Sequence, residues 1–448
     1  MTRSGLLTDA YEITMAGSYI RRGMTTPASF SLFVRQLPHT RGFLVLAGVD
    51  EACRFLEEFR FDEDDLVYLE DSMGLPAEIL DALRQLRFSG EVWSAPEGSI
   101  VTADEPLLEV TAPLPEAQLV ETALLNLMTF QTTIASKAAR CRLAAADRHV
   151  VDFSFRRTQG LESGLLASRS AAIAGFDATS NVAAARLYEL GATGTMAHSY
   201  VQAFPREVDA FRAFAADYPD RAAFLVDTYD TADGVRSAIE VVHELGDPGP
   251  LWIRLDSGDL GALARTSRQL LDAARLTEAR IIASGGLDEH EIERLLAENA
   301  PIDAFGVGTK MGVSADAPYL DTVYKLVAYG GRPVMKLSTG KRTLPGPKQV
   351  FRRTDGDLTA DVLGLREEPI PDGYHPMMAC VMRGGARVAP VTRGEAVRAA
   401  RARCAGELAH VPPQSRRLAD PTPLVVRLSS PLAALAAEVA RGLGVPAL

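Results

Sequence analysis

Cysteine is scarce in this chain of 448 residues. Cys53, Cys141, Cys380 and Cys404 lie far apart without a C-x-x-C pair, which excludes a disulfide framework and a cysteine-built zinc site. They read as reduced thiols of a cytoplasmic protein. No apolar run approaches the roughly 20 residues that a membrane helix needs, so no membrane partner is expected. The opening "MTRSGLLTDAYEITMAGSYI" reaches Asp9 and Glu12 too early for a secretory signal. An excess of positive charge is also missing. Against 58 Asp and Glu stand 47 Lys and Arg, and the formal charge of -11 argues against a nucleic-acid partner. Small anions are still allowed, because a few local arginines can outweigh the global balance. Internal repeats and low-complexity tracts are absent. What is present is 47% hydrophobic and 23% charged residues, a globular composition long enough for two or three domains.

The pattern changes along the chain. Residues 1–125 mix a helical opening with strand-like runs such as "ASFSLFVRQL" and the Gly- and Pro-punctuated "GEVWSAPEGSIVTADEPLLEVTAP", which reads as hairpins in a β-rich α+β domain. Across 126–335 short apolar runs alternate with amphipathic helices. "HVVDFSF", "AAFLVDTYDT", "PLWIRLDSGD", "ARIIASGG" and "DAFGVGT" are the strands; "ADGVRSAIEVVHELG", "GALARTSRQLLDAAR" and "DEHEIERLLAENA" are helices between them. This predicts an α/β fold, an irregular β/α barrel with a β-rich N-terminal domain and a C-terminal extension. Residues 336–448 hold a basic loop, a hairpin with an Asp-Gly turn and a helical, Ala/Arg-rich tail.

Polar residues fall at the C-terminal ends of the barrel strands, where such barrels place their active sites. Ser284, Gly285 and Gly286 join a strand to a helix, and Gly306, Gly308 and Thr309 end the next one. Either pair of loops is a tight turn before a helix, or it is a cradle for a sugar phosphate. Asp288 and Glu291 have capping-box spacing. Arg254, Asp256, Ser257 and Asp259 form another strand mouth, suited to an anion, to ribose hydroxyls or magnesium, or to an internal salt bridge. Arg156 and Arg157 stand in tandem beside Gln159 as a candidate anion clamp. His198 lies alone among small residues in "GATGTMAHSY". A neutral imidazole there is a nucleophile if its other nitrogen is oriented, and Asp227 of "LVDTYD" is the expected orienting carboxylate.

The ordered motifs "LLTDAYEITMAGSY", "FRRTQG", "FDATSNVAAA", "GTMAHSYVQAF", "LVDTYDT", "IRLDSGDL", "FGVGTK" and "MKLSTGKRTLPGPKQVFRR" resemble those of nicotinate phosphoribosyltransferase, from residue 6 to about 353. The resemblance implies a type II phosphoribosyltransferase-like barrel. Its reaction joins nicotinate to phosphoribosyl pyrophosphate, forming nicotinate mononucleotide and pyrophosphate for NAD biosynthesis. ATP is the co-substrate, spent through a phosphohistidine that falls on His198, and Mg2+ assists. It implies that Tyr11, lent by the partner subunit of a homodimer with shared sites, and Phe153 sandwich the pyridine ring. Arg156, Thr195 and Arg254 would contact the substrate, Asp256 the ribose hydroxyls, and Gly285, Gly286, Gly308 and Thr309 the 5′-phosphate. Magnesium ligands are not assigned by it. Ser154 stands where the family usually has glycine, and no motif is placed after about residue 353.

Ser180 separates two substrates. The related nicotinamide enzyme has an aspartate at the matching place, whereas a serine hydroxyl donates to a carboxylate, so nicotinate is expected. Arg157, Lys336, Arg342 and Lys348 are candidate pyrophosphate-binding cations, or else solvated surface charges. The alternatives are a quinolinate phosphoribosyltransferase, which needs no phosphohistidine, and a non-catalytic binder of NAD precursors. A Schiff-base aldolase would have to use Lys310 or Lys325.

Overall fold

The computed structural model describes residues 5–219, 223–246, 251–338 and 341–443. They fall into two compact units. One is formed by the chain up to Ser136 together with the chain from Ala317 onward, the other by Lys137–Asp316.

In the second unit strand and helix alternate as expected. Its strands are β1 (His149–Asp152), β2 (Ala178–Thr179), β3 (Ala223–Leu225), β4 (Trp252–Leu255), β5 (Arg280–Ser284) and β6 (Ala304–Val307). All five strands read from the sequence are present; β2, only two residues long, carries no readable pattern. The ladders are parallel throughout, in the order β2-β1-β6-β5-β4-β3. The sheet thus curls into an incomplete barrel, open between β2 and β3. Phe224, Ile253, Leu255, Ile281, Ala283, Phe305 and Val307 are fully buried, as strands covered on both faces require. The crossover helices bury one stripe each. On Thr231–Leu245 the buried positions Val235, Ala238, Val241 and Val242 follow the helical period, and the Asp230 carboxylate caps the start by accepting from the Asp233 N–H.

The chain between the edge strands β2 and β3 holds the helices Val182–Tyr188, His198–Gln202 and Glu207–Asp217. Its "GATG" turn is tied to β2: the Thr179 N–H donates to the Gly191 carbonyl, and the Thr193 N–H to the Thr179 carbonyl. That pairing carries the following residues, up to His198, over the open side of the sheet.

The first unit is built on a seven-stranded sheet. Its third strand Pro27–Val34, the "ASFSLFV" run, pairs antiparallel with Pro106–Pro113 and with Thr322–Tyr329. Thr322–Tyr329 falls on the other side of the division from where the sequence pattern puts it. It follows the strand–helix alternation in the chain, but no crossover helix succeeds it, so it returns antiparallel. The segment from 336 onward is not a separate body. Lys348–Arg353 and Val362–Leu365 form the expected hairpin, while Ala379–Arg383 pairs with Glu91–Ser94 inside the seven-stranded sheet. Buried Arg352 fastens it further, donating to Asp361, Glu407 and the Ile100 carbonyl at 2.6–2.7 Å. No helix among the described residues is long and apolar enough to cross a membrane.

Candidate active site

At the C-terminal edge of the curled sheet lies a cavity of about 410 Å³, within the range of small-molecule sites. Phe153, Arg156, Ser180, Thr195, His198, Arg254 and Asp256 all line it, with Phe155, Gly194, Met196, Ala197 and Leu225. Seven residues singled out from the sequence, scattered over about a hundred positions, therefore converge.

Phe153 follows β1, whose last residue Asp152 is buried and fully engaged. One Asp152 oxygen takes the Ser154 N–H and hydroxyl at 2.8 and 2.6 Å, the other the Ser168 and Thr179 hydroxyls at 2.7 and 2.8 Å. These bonds fix the corner that turns Phe153 toward the cavity. The Ser154 hydroxyl is thereby occupied, and Gly312 provides its room: a Cβ there would lie 2.4 Å from the Ser154 Cβ. Gly306 does the same for Phe153, since its Cβ would lie 2.5 Å from the ring.

Arg254 on β4 is the hub. Its Nε donates to the Ser284 hydroxyl at 2.8 Å, one Nη to the Thr195 hydroxyl at 3.1 Å and the other to Asp256 Oδ1 at 2.7 Å. The guanidinium carbon sits 5.2 Å from the Phe153 ring centroid, a cation–π contact. Asp256 Oδ1 also accepts from the Ser284 hydroxyl at 2.5 Å. Burial raises the Asp256 pKa, yet Ser284, Arg254 and His198 together hold it below the usual carboxylate value. The internal Arg–Asp salt bridge and the cavity wall are one and the same feature.

His198 begins the helix His198–Gln202, and its Nε2 lies 3.9 Å from Asp256 Oδ2. The expected partner on the other nitrogen is corrected here. His198 Nδ1 lies 3.1 Å from the Thr228 hydroxyl, and Asp227 is not bonded to the ring. Asp227 Oδ2 instead accepts from the Asp256 N–H and the Ser257 hydroxyl, both at 2.8 Å, so Asp227 braces the β4 loop. Thr228 is uncharged and so leaves no charge pattern in the sequence that marks it as the partner of the imidazole.

The glycine loops have steric reasons of their own. Gly285 has φ +89, and a Cβ there would stand 1.9 Å from the Asp256 carbonyl oxygen, so no side chain fits. Gly308 precedes the four-residue helix Thr309–Gly312. The expected capping box is half formed: Asp288 accepts from the Glu291 N–H at 3.0 Å, but the Glu291 carboxylate is held by Arg294. Tyr11 belongs to the first unit, on the helix Ala10–Arg21, with 49% of its surface exposed.

Among the basic candidates, Lys348 is neither a surface charge nor free for an anion. It is buried in the first unit, its Nζ 3.1 Å from Glu109 Oε1 and 2.8 Å from the Gly346 carbonyl oxygen. Burial lowers its pKa, against the pull of Glu109. Arg157 and Lys336 are exposed and Arg342 is half-buried. The aldolase lysines are both engaged, Lys310 with Asp288 at 2.7 Å and Lys325 with Glu121 at 3.5 Å. No group of three or more His, Cys, Asp or Glu among the described residues is set to cage a metal. Asp227 Oδ1, however, is buried without a protein partner, which suits a magnesium ion held by one or two carboxylates and substrate phosphates.

With this geometry in place, comparison with known proteins is consistent along the chain. Residues 6–129 match the nicotinate phosphoribosyltransferase N-terminal domain, 148–346 the nicotinate phosphoribosyltransferase family, and 373–436 the C-terminal domain of those enzymes. The last match covers the tail that carried no readable motif. A nicotinate phosphoribosyltransferase of Mycobacterium tuberculosis is 46% identical over 420 residues, 93% of this chain and 89% of that protein. One of Bacillus subtilis is 43% identical over 389 residues, 83% and 79% respectively. The crystal structure of human nicotinic acid phosphoribosyltransferase superposes with a TM-score of 0.85 at 30% identity, covering 96% of this chain and 99% of that one. A nicotinate-nucleotide pyrophosphorylase of Pyrococcus furiosus shares the fold, with a TM-score of 0.74 at 23% identity over 91% of this chain and 96% of that one. The chain belongs to the nicotinate phosphoribosyltransferase family.

Proposed function

We propose that the cavity of the second unit joins nicotinate to phosphoribosyl pyrophosphate, giving nicotinate mononucleotide and pyrophosphate, with ATP hydrolysed through a phosphate carried on His198. The single observation that supports this most is the convergence of His198, Asp256, Arg254 and Phe153 on one cavity. Nicotinate lies against the Phe153 ring with its carboxylate toward Arg254, Thr195 and Ser180; Arg156 adds a second cation at the exposed rim. Asp256, kept ionised, accepts the ribose hydroxyls on the free oxygen Oδ2, and the loops of Gly285, Gly286, Gly308 and Thr309 receive the 5′-phosphate.

The bond from ribose C1 to pyrophosphate breaks as the pyridine nitrogen attacks, so positive charge grows on the sugar. The Asp256 carboxylate faces that charge, and no protein base is required because the attacking nitrogen carries no proton. Asp227 and Asp256 are the side chains that would hold magnesium, which when bound neutralises the departing pyrophosphate.

Turnover of the two pyridine substrates with phosphoribosyl pyrophosphate and ATP tests this reading. Nicotinate is used about a hundredfold better than nicotinamide, since the pocket offers donors and a cation where an amide needs an acceptor. Ser180→Asp narrows that gap toward the amide. Equal use of both compounds by the unaltered protein removes the assignment.

Tyr11 completes the ring sandwich from a second copy in a homodimer. Its exposed ring supports this, as an aromatic side chain with an uncovered face. Tyr11→Ala and His198→Ala proteins, each impaired alone, regain activity when mixed, through hybrid sites. A fully active monomer in sedimentation at assay concentration contradicts the shared site.

A further inference from the structure

We infer that Lys310 and Lys137 are positioning residues that hold the two glycine loops at a fixed separation, and through it set the affinity for the 5′-phosphate of the sugar substrate. The inference rests on the reading of those loops as the phosphate cradle and adds what holds them together. The loops leave neighbouring parallel strands, β5 and β6, whose ladder ends with Ser284 opposite Gly306. Both loops press on the cavity wall. A Cβ on Gly285 would stand 1.9 Å from the Asp256 carbonyl oxygen, and one on Gly308 would stand 3.0 Å from that of Phe153. Beyond the ladder two ionic bridges join loop to loop. In the outer bridge Lys310, directly after Thr309, places Nζ 2.7 Å from Oδ2 of Asp288, just past Gly286. In the inner bridge Lys137 Nζ lies 2.6 Å from Oε2 of the fully buried Glu289 and 2.7 Å from Oδ1 of Asp316. Glu289 follows Asp288 in the chain, and Asp316 lies just beyond the helix Thr309–Gly312. Arg140 donates to the other Glu289 oxygen at 2.8 Å.

Backbone N–H groups cannot swing toward a ligand as a side chain can. A cradle made of two loops therefore binds well only at the separation its scaffold fixes. Burial alone raises the pKa values of Asp288 and Glu289. Lys310 and the Glu291 N–H on the first, and Lys137 and Arg140 on the second, outweigh it and bring both below the usual carboxylate range. Both carboxylates are thus charged at neutral pH, and the bridges are ion pairs there. Lys137 is only 2% exposed, so water and salt screen the inner bridge little. Asp288 serves two partners with its two oxygens: Oδ1 accepts the Glu291 N–H at 3.0 Å, and Oδ2 takes Lys310. The rival role for Lys310 is direct contact with the phosphate. That role gives the opposite sign for one variant, because freeing the lysine from Asp288 would then strengthen binding.

Steady-state kinetics of the full-length protein test this, through the Michaelis constants for phosphoribosyl pyrophosphate and for nicotinate. Asp288→Asn keeps an oxygen for the Glu291 N–H and loses the charge that holds Lys310. It raises KM for phosphoribosyl pyrophosphate about tenfold, with kcat and KM for nicotinate within about twofold. Lys310→Met does the same, and Lys310→Arg, which still reaches Asp288 with a cation, returns to within about threefold. Lys137→Met gives a larger rise; should thermal melting show it unfolded, the outer-bridge variants decide. An unchanged or lower KM for phosphoribosyl pyrophosphate in Asp288→Asn overturns the inference, and a lower one makes Lys310 a phosphate ligand. A loss shared equally by both substrates also overturns it, as general loosening of the unit. Gly308→Val separates the inference from the reading beneath it. If that variant leaves KM for phosphoribosyl pyrophosphate unchanged, the cradle lies elsewhere and both fall. If it raises KM while the bridge variants do not, the cradle stands and the bridges are scaffold only.

Discussion

The His198→Ala variant is expected to take up no phosphate from γ-labelled ATP and to lose all stimulation of turnover by ATP. In the unaltered protein the label is acid-labile and base-stable, as a phosphoramidate is. The expectation comes from position as much as from residue type. His198 opens a helix after four small or flexible residues, with 40% of its side chain accessible, so a phosphoryl group meets no wall. Its Nδ1 lies 3.1 Å from the Thr228 hydroxyl, and the residue lines the cavity. Transfer without ATP persists at a reduced rate in the variant, because the sugar chemistry is assigned to Asp256 and the phosphate loops, none of which contains the imidazole. Loss of ATP coupling is expected to lower kcat/KM for phosphoribosyl pyrophosphate by about tenfold or more, the size of effect when binding energy no longer serves the transition state. Unaltered protein that runs at full rate without ATP and never acquires label would reduce His198 to a loop residue.

The barrel was legible because alternating apolar runs and amphipathic helices leave little choice but parallel β/α units. Each strand from "HVVDFSF" to "DAFGVGT" is found, and Phe153, Leu225, Arg254 and Asp256, at the ends of three of them, line the cavity. Thr322–Tyr329 was not assignable from its own pattern. Its apolar residues say that it is buried, but the direction of pairing is set by Pro27–Val34, nearly three hundred residues earlier. Lys348 is a similar case. A lysine in a basic loop looks solvated until its partner is known, and that partner, Glu109, lies 239 positions away. The clustering of Phe153, Arg254 and His198 was readable from motifs. Their bonding was not, because a hydroxyl such as Thr228 or Ser284 leaves no charge pattern to follow.

Arg254→Lys is expected to lower kcat/KM for nicotinate by about a hundredfold to a thousandfold, equivalent to about 3–4 kcal/mol, while leaving the poor turnover of nicotinamide within about threefold. A guanidinium has five N–H donors in a fixed fork. Three are used inside the protein, on Ser284, Thr195 and Asp256, and two remain for a planar carboxylate. Lysine keeps the positive charge but has three donors on a single atom and cannot serve three internal partners and a ligand together. Its flat face is also lost, and with it the contact to the Phe153 ring. Comparing the two substrates separates recognition from damage to the wall. If Arg254 only braces Asp256 and Ser284, both substrates decline alike, since both need the ribose site. If it holds the nicotinate carboxylate, the loss falls on nicotinate and preference collapses toward parity. Equal losses for the acid and the amide would assign Arg254 to the scaffold and move carboxylate recognition to Arg156 and Ser180.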